Sequence, residues 1–473
     1  MPETPLDPSG TPPIALLDVD AELVDNLGTL VATEAQGMVL NLLADLHPAD
    51  IARLLTHLPR EHALQLIHWM DEQVSSEVLA ELDPAYQAAL LKELPPEQIT
   101  AIVDELDTDD AADVLAELPD EVTEQILPAL EDAADLQELL GYGEDTAGGL
   151  MAREYVSVEA AETIAEAVEE VRRKEADVVD LYVVYVVDEQ NRLVGVVTLK
   201  RLLLAARHAQ ARVADVMDTD PIQVPTDLDQ EEVARIMERY DLVSLPVVDP
   251  DGCLVGRITI DDVVDVLREE AEEDLQRMSG LTGDEEPTDS VLRITRGRLP
   301  WLLIGMVGAV LSGLVIGAFE DELERAVVLA FFIPVVMAMA GNAGIQSSAI
   351  VVQGLASGDV WGSDITTRLG KEMAVALING VVLGLVLVGV VWLLVGIGFW
   401  GDEVDAPMQL ALTSSLALLM VILLATGIGT TIPLLLHRVG IDPALATGPF
   451  ITTSNDILGL AIFFLLAALL YLP

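Results

Sequence analysis

Cysteine is nearly absent from this chain of 473 residues, in which Cys253 is the single example. One thiol cannot form a disulfide framework within the chain or a thiolate metal site, so the sequence excludes both. A chain without disulfides fits a reducing compartment for the hydrophilic region that contains Cys253.

Basic side chains are also scarce, because 24 Lys and Arg stand against 79 Asp and Glu and the formal net charge is −55. Nucleic-acid binding requires cationic neutralisation of phosphates, so no nucleic-acid partner is expected. Divalent cations prefer hard oxygen ligands, which carboxylates supply. Solubility by itself is an alternative explanation of the acidic composition, so the role of any single acidic residue stays open.

Catalytic motifs are missing as well. The six His are scattered, and no set of nucleophile, base and acid stands out, so the sequence predicts that the protein is not an enzyme. Neither a Walker-type phosphate loop nor a phosphorylated-aspartate pump motif is apparent, which argues against ATP-driven pumping.

Hydrophobic residues are nevertheless abundant, and the mean hydropathy of +0.45 conflicts with the charge until the chain is divided near Leu299. Residues 1–298 hold 67 acidic and 20 basic side chains, whereas residues 299–473 hold 12 and 4. An acidic soluble half therefore precedes a half that lies in the lipid bilayer. Hydrophobic runs predict five spans, which are Leu299–Phe319, Ala326–Leu355, Met373–Trp400, Gln409–Leu436 and Ala444–Leu472.

Most of the basic residues that flank these spans lie on one side. They lie before the first span, between the second and third, and between the fourth and fifth, namely Arg293, Arg296, Arg298, Arg368, Lys371, His437 and Arg438. The other loops are mainly acidic. Positive-inside counting predicts a multi-pass protein of the plasma (inner) membrane, with a cytoplasmic N-terminal half and an extracytoplasmic C-terminus.

Asp456 is the one charged residue between Ala444 and Leu472. A carboxylate at bilayer depth costs about 2.5 kcal/mol or more, so it usually faces a partner or a wet path. Asp456 is therefore a candidate functional group, and a protonated Asp in an interhelical hydrogen bond is the alternative.

The second span contains residues that are unusual in a membrane helix. Pro334 and the stretch Gly341–Ser348 (GNAGIQSS) are expected to interrupt the helix, which is tolerated at membrane depth where protein or water satisfies the backbone. Asn342 and Gln346 lie four residues apart and are expected to share a helical face that lines a cavity. Small residues that ease helix packing are the alternative.

The region before the membrane contains a repeat. From His47 to Leu130 the chain divides into seven units of 12 residues, most of which open with Pro or Asp, and they close with apolar residues. One unit cannot bury its apolar face alone, so stacked short helices in a solenoid are predicted. The solenoid presents Asp109, Asp110 and Asp113 at a helix start, where acids also favour the helix dipole.

Residues 151–268 contain two copies of a strand, turn, strand and helix unit that resemble tandem CBS domains, through the repeated VVD, turn, LVG and Thr. The resemblance implies an adenosine nucleotide such as ATP as a ligand. Thr259 and Asp262 match the family's ribose contact, whereas Thr198–Arg201 in the first copy lacks the Asp. At most one nucleotide site is expected.

The predicted fold class is mostly α, with a cytosolic helical solenoid, α/β tandem CBS domains and a five-helix transmembrane domain. The expected domains are a disordered acidic tail (1–30), the solenoid (31–145), the CBS pair (146–268), a connecting (plug) helix (269–298) and the pore domain (299–473). Acids in the connecting segment repel one another unless a cation intervenes; a solvated helix is the alternative.

This order of parts, with GNAGIQSS in the second span and DPALATGPFITTSNDILG at the fifth, resembles the MgtE family of magnesium channels over nearly the whole chain. The resemblance implies a homodimer whose pore lies between protomers and is lined by the second and fifth spans. Asp456 would select the ion, and Asn342 and Gln346 would line the pore. Some members carry Asn where this chain has Gly448, so a pore role for that side chain is absent here.

The resemblance also implies that intracellular Mg²⁺ bridges the solenoid, the CBS pair and the connecting helix, and so closes the pore. The implied sensor positions are all acidic, namely Asp109, Asp113, Asp229, Glu231, Asp241, Asp262, Asp265, Glu270, Glu273 and Asp274. The sequence thus predicts a Mg²⁺-selective importing channel that cytosolic Mg²⁺ closes. The alternatives are a nucleotide-regulated transporter or exporter of another divalent cation, such as Co²⁺ or Mn²⁺, and a membrane-tethered acidic scaffold, which leaves Asp456 unexplained.

Overall fold

Helices dominate the computed structural model, which describes residues 21–174, 178, 181–281, 285, 290–356, 365–400, 404, 406–446 and 448–472. The chain divides into two compact units, Met1–Arg268 and Glu269–Pro473.

The first unit begins with a helical solenoid. Its helices are α1 (Ala21–Ala32), α2 (Gln36–Leu43), α3 (Pro48–His57), α4 (Arg60–Trp69), α5 (Glu72–Ala80), α6 (Pro84–Leu91), α7 (Pro96–Val103), α8 (Thr108–Glu117), α9 (Asp120–Ile126) and α10 (Ala133–Leu139). From α3 to α9 a helix starts every 12 residues, so the predicted repeat is confirmed. Neighbours two apart in sequence pack together, α3 on α5 and α4 on α6, and bury the apolar faces.

The N-terminal boundary of the solenoid differs from the expectation of a disordered tail over 1–30. Residues 1–20 lie outside the described residues, but residues 21–30 belong to α1. Leu27 and Val31 are fully buried because they lie four residues apart on a face that packs on α2 and α4.

Two small mixed sheets follow, one in each CBS unit. The first contains β1 (Ser157–Glu159), α11 (Ile164–Arg173), β2 (Val183–Val187), β3 (Leu193–Thr198) and α12 (Leu199–Ala205), and the second contains β4 (Val224–Pro225), α13 (Gln230–Tyr240), β5 (Ser244–Val248), β6 (Leu254–Thr259) and α14 (Ile260–Met278). In each sheet the central strand pairs in parallel with the first strand and antiparallel with the third. The strand, turn, strand and helix pattern is confirmed; the short parallel strands β1 and β4 were not anticipated.

In the part of the second unit that the structure describes, five helices are long and apolar enough to cross a membrane. They are α15 (Val291–Ala318), α17 (Phe332–Ala356), α18 (Ile365–Gly396), α19 (Pro407–Arg438) and α20 (Pro449–Leu470), and the short helix α16 (Glu320–Arg325) follows α15. The prediction of five spans is confirmed. In the segment 269–298, the described residues are helical to Met278 and again from Val291.

The expected interruption of the second span is wrong, because α17 is continuous from Phe332 to Ala356. Pro334 lies in the first turn of α17, where the missing N–H has no intrahelical acceptor. A Cβ at Gly344 would collide with the side chains of Asn455 and Ile451 in α20, and a Cβ at Gly429 in α19 would collide with the backbone of Gly344. Close helix packing, the alternative considered above, is therefore the reason for this glycine.

Candidate functional site

Asp456 lies on α20 beside a residue that fixes the helix in place. The side chain of Asn455 is buried and donates a hydrogen bond to the carbonyl oxygen of Ala340 in α17, at 3.3 Å. Asp456 is turned about 100° away from that contact and is half-buried.

The carboxylate of Asp456 has no hydrogen-bond or ion-pair partner among the residues that the structure describes. Its oxygens are not among the buried polar atoms that lack a partner, a group that includes Oδ1 of Asn455. The carboxylate therefore reaches the surface of the chain and is not sealed inside its own helix bundle.

The amides of α17 share a face, as predicted. Asn342 and Gln346 are both exposed, whereas Gly344 and Ser348 are buried on the other side of the helix against α19 and α20. The helices that carry Asp456 and the two amides thus pack directly on each other. The described contacts include none between Asp456 and either amide.

A second acid of the membrane unit was missed from the sequence. Glu372 in α18 has a side chain that is only 12% exposed, and it pairs with Arg368 at 3.2 Å. Ser347 of α17 donates a hydrogen bond to Glu372 at 3.0 Å. The sequence signal was the Arg368–Glu372 spacing of four residues, which predicts an ion pair within one helix.

In the first unit, the predicted acids of the solenoid lie near the start of α14. Burial raises the pKa of Asp262 to about 6, and the negative charge of Asp261 adds to this. Burial and repulsion from Asp262 raise the pKa of Asp110 to about 8. The same two causes raise the pKa of Asp109 well above its usual range. These carboxylates repel one another, which is the charge environment that attracts a cation.

A hydrogen-bonded contact holds α8 at this place. The backbone N–H of Thr108 donates to Oε1 of Glu154 at 3.2 Å, and its hydroxyl donates to Oε2 at 2.9 Å. The N–H of Arg153 in turn donates to the Thr108 hydroxyl at 2.8 Å. The start of α8 is thereby joined to the segment that leads into the CBS pair, a contact that nothing in the sequence indicated.

Other predicted sensor residues have local partners in the structure. Asp229 accepts a hydrogen bond from the N–H of Glu231 at 3.0 Å, and Glu231 pairs with Arg235. Asp265 pairs with Arg268 at 3.2 Å. The negative charge of Asp113 raises the pKa of Asp110, and Asp241 ends α13 with its backbone in the left-handed region. Glu273 pairs with Arg277. Glu270 and Asp274 both lie in α14.

The donor chemistry of the cluster at Asp109, Asp110 and Asp262 fits a hard divalent cation, because all its ligands would be carboxylate oxygens. Within the described residues, however, no three His, Cys, Asp or Glu side chains converge closely enough to hold a metal ion. Asp107 and Asp261 also act on this cluster and were missed. The sequence could have indicated Asp107 and Asp261, because each lies in the same short stretch as a predicted acid, Asp107–Asp110 or Thr259–Asp262.

The two predicted nucleotide contacts bond to each other. The hydroxyl of Thr259 donates to Oδ2 of Asp262 at 2.7 Å, and the N–H of Thr259 donates to the same oxygen at 3.2 Å. This is the capping arrangement of a helix N-terminus and stabilises the start of α14.

Five apolar helices, with a carboxylate in the last one that has no partner among the described residues, are typical of a multi-pass membrane transporter. Residues 333–466 match the family model described as "Divalent cation transporter", residues 46–145 match "MgtE intracellular N domain", and residues 147–208 and 213–269 match "CBS domain".

Similar proteins agree with this class. "Magnesium transporter MgtE" of Thermus thermophilus is 37% identical over 71% of this chain and 72% of its own length. The protein of the same name from Bacillus subtilis is 35% identical over 70% of each. The solved cytosolic domain of the Mg²⁺ channel MgtE in complex with ATP is 38% identical, covers 51% of this chain and 99% of that chain, and has a TM-score of 0.49. The chain belongs to the MgtE family, whose members are transporters and not enzymes, and the predicted fold class is confirmed.

Proposed function

We propose that this protein is a Mg²⁺-selective channel of the plasma membrane that imports Mg²⁺ and is closed by cytosolic Mg²⁺. The related proteins named above are magnesium transporters. The observation that carries the proposal is the half-buried carboxylate of Asp456, which has no partner among the described residues of its own chain and reaches the protomer surface.

A carboxylate in this position needs water, a cation or a second protomer. In a homodimer, two copies of Asp456 would face each other across the symmetry axis. The pair would attract cations and exclude anions. Mg²⁺ releases its water reluctantly, so the hydrated ion would contact the carboxylates through water. The exposed amides Asn342 and Gln346 would line the same pathway.

Closure would follow from the acids of the cytosolic region. The clustered carboxylates of Asp109, Asp110 and Asp262 repel one another, and a bound Mg²⁺ would neutralise them and stabilise the closed arrangement. Switching from 1:99 to 99:1 requires about 5.5 kcal/mol of differential binding, which several weak sites supply together. The other acids of the sensor would be Asp113, Asp229, Glu231, Asp241, Asp265, Glu270, Glu273 and Asp274.

The proposal includes the domain divisions at 145, 268 and 298, cytoplasmic N-terminal domains and an extracytoplasmic C-terminus. It also retains ATP as a ligand at Thr259 and Asp262. A nucleotide there would have to share Asp262 with its helix-capping bond to Thr259. Calorimetric titration of the full chain with ATP tests this, and the absence of binding heat at millimolar ATP would exclude ATP as a ligand of this site.

The pore role is tested by Asp456→Ala in ion-substituted current recordings from reconstituted full-length protein. Asp456→Ala should abolish the Mg²⁺ current while the protein still inserts and dimerises. Asp321→Ala removes an exposed carboxylate of α16 in the same unit and serves as the matched control. Wild-type current in Asp456→Ala would contradict the proposal. A larger current with Co²⁺ or Mn²⁺ than with Mg²⁺ would favour a different cargo.

A further inference from the structure

The buried carboxylate of Glu372 joins α18 to α17. Nη2 of Arg368, one turn earlier in α18, pairs with Oε1 of Glu372 at 3.2 Å. The hydroxyl of Ser347 in α17 donates to Oε2 at 3.0 Å. The side chain of Glu372 is 12% exposed, and Ser347 is 5% exposed. Because the ion pair offsets the cost of burying the charge, the second carboxylate oxygen is available to the neighbouring helix.

The helix that carries Glu372 is itself held by α19. The hydroxyl of Ser415 in α19 donates to the carbonyl oxygen of Gly384 in α18 at 2.8 Å. A Cβ at Gly380 in α18 would collide with the side chain of Leu419 in α19, so the two helices are in close contact there. Since α18 packs closely on α19, Glu372 is a fixed acceptor for the hydroxyl of α17.

The residue that precedes Ser347 is Gln346, which is proposed above to line the ion pathway. Successive residues of an α-helix point about 100° apart, so the direction of the Ser347 side chain also determines the direction of Gln346. Gln346 is exposed, whereas Ser347 is buried. A rotation of α17 that moved Gln346 away from its exposed position would therefore break the hydrogen bond to Glu372.

We infer that Glu372 is a positioning residue which, through Ser347, keeps α17 in the rotation that directs Gln346 into the ion pathway. This inference rests on the proposed channel function and adds a residue from a neighbouring helix to it. Glu372 acts through α17 and does not itself contact the ion, because its charge is paired with Arg368.

The test measures the extracytoplasmic Mg²⁺ concentration that gives half-maximal current through full-length protein in bilayers. Ser347→Ala should raise this concentration about threefold, which corresponds to the average strength of an interhelical hydrogen bond in a membrane. The physical reason is that a smaller fraction of the channels presents Gln346 correctly, and apparent affinity falls with that fraction. Ser347→Ala leaves the ion pair of Glu372 intact, so the variant should still fold.

Two further variants separate the hydrogen bond from other effects. Glu372→Gln keeps an acceptor oxygen for the Ser347 hydroxyl but removes the charge, and it should retain the wild-type half-maximal concentration. Ser415→Ala removes a hydroxyl bond of the same kind between α19 and α18 and is the matched control, which should also be unchanged. An unchanged concentration in Ser347→Ala overturns the inference. A threefold shift in Glu372→Gln overturns it as well, because the charge would then be what matters.

Spin labelling provides a readout that does not depend on current. A label attached to the Gln346→Cys variant, in a Cys253→Ser background, reports its access to a water-soluble relaxation agent relative to oxygen, which concentrates in lipid. Adding Ser347→Ala should lower this ratio, and an unchanged ratio overturns the inference. If the unsubstituted protein carries no Mg²⁺ current, the proposed function fails, and the ratio still decides whether the hydrogen bond sets the rotation of α17.

Discussion

The side chain of Asn455 spans from α20 to the backbone carbonyl of Ala340 in α17, at 3.3 Å, and so determines the rotation of α20. Because Asp456 is the next residue, its direction follows from this bond. Gly344 provides the space that the Asn455 side chain occupies. The packing of α17 on α20 thereby positions the candidate ion-selecting carboxylate.

Asn455→Ala should lower the free energy of unfolding by about 1–2 kcal/mol, since it removes an interhelical hydrogen bond and leaves a void. The measurement is detergent-driven unfolding of the full chain in micelles. Ser415→Ala is the matched control, because its hydroxyl donates to Gly384 across α19 and α18 at 2.8 Å. Both variants should lose stability, but only Asn455→Ala should also reduce the Mg²⁺ current. Equal currents in the two variants would argue against the positioning of Asp456 by Asn455.

The raised pKa values of the acidic cluster predict that the first unit loses stability as the pH rises. The folded-state pKa values of Asp262 and Asp110 are about 6 and about 8, against about 3.9 for an unfolded Asp. The folded state therefore binds more protons between about pH 4 and pH 8, so the free energy of unfolding falls through this range. A decrease on the order of 2 kcal/mol, after allowance for solvent screening, is expected in urea unfolding of residues 1–268.

Millimolar Mg²⁺ should reduce this pH dependence, because a cation among the carboxylates replaces the protons. Asp110→Asn should reduce it as well, whereas Asp120→Asn, at an exposed position in the first turn of α9, should leave it unchanged. Stability that rises between about pH 5 and pH 8 would have the opposite sign and refute the interpretation of the cluster.

Thr108→Val should destabilise residues 1–268 by about 1–3 kcal/mol, because it leaves Glu154 and the N–H of Arg153 without their shared hydroxyl partner. Urea unfolding measures the change. Thr100→Val is the control, since the Thr100 hydroxyl donates a hydrogen bond within its own helix, to the carbonyl oxygen of Pro96 at 3.0 Å. Similar losses in both variants would mean that the Thr108 contact adds nothing beyond an ordinary helix bond.

Removal of residues 1–268 should leave a channel that high cytosolic Mg²⁺ no longer closes. Residues 269–473 form a compact unit of their own, while most of the acidic side chains belong to the removed part. Patch recordings of the truncated protein at low and high cytosolic Mg²⁺ provide the measurement. The full-length chain recorded under the same conditions is the control, and equal inhibition in both would place the sensor within residues 269–473.

Much of the architecture could be read from local patterns. The 12-residue repeat, the paired CBS units and the five spans all follow from hydrophobic spacing, which depends on each segment's need to bury its own apolar face. The continuity of α17 could not be predicted in this way. Gly341 and Gly344 favour an interruption in isolation, but α17 is continuous, and Gly344 instead makes room for the side chain of Asn455.

Composition and spacing alone showed that the first 298 residues are strongly acidic, predicted five membrane spans and placed one carboxylate in the last of them. Some partners of the acids were decided only by folding, because they come from segments distant in the chain. Asp110 meets Asp262, Thr108 meets Glu154, and Arg277 meets Asp442. The physical reason is that burial and charge act through space, so the effect of a carboxylate depends on the groups that packing brings beside it.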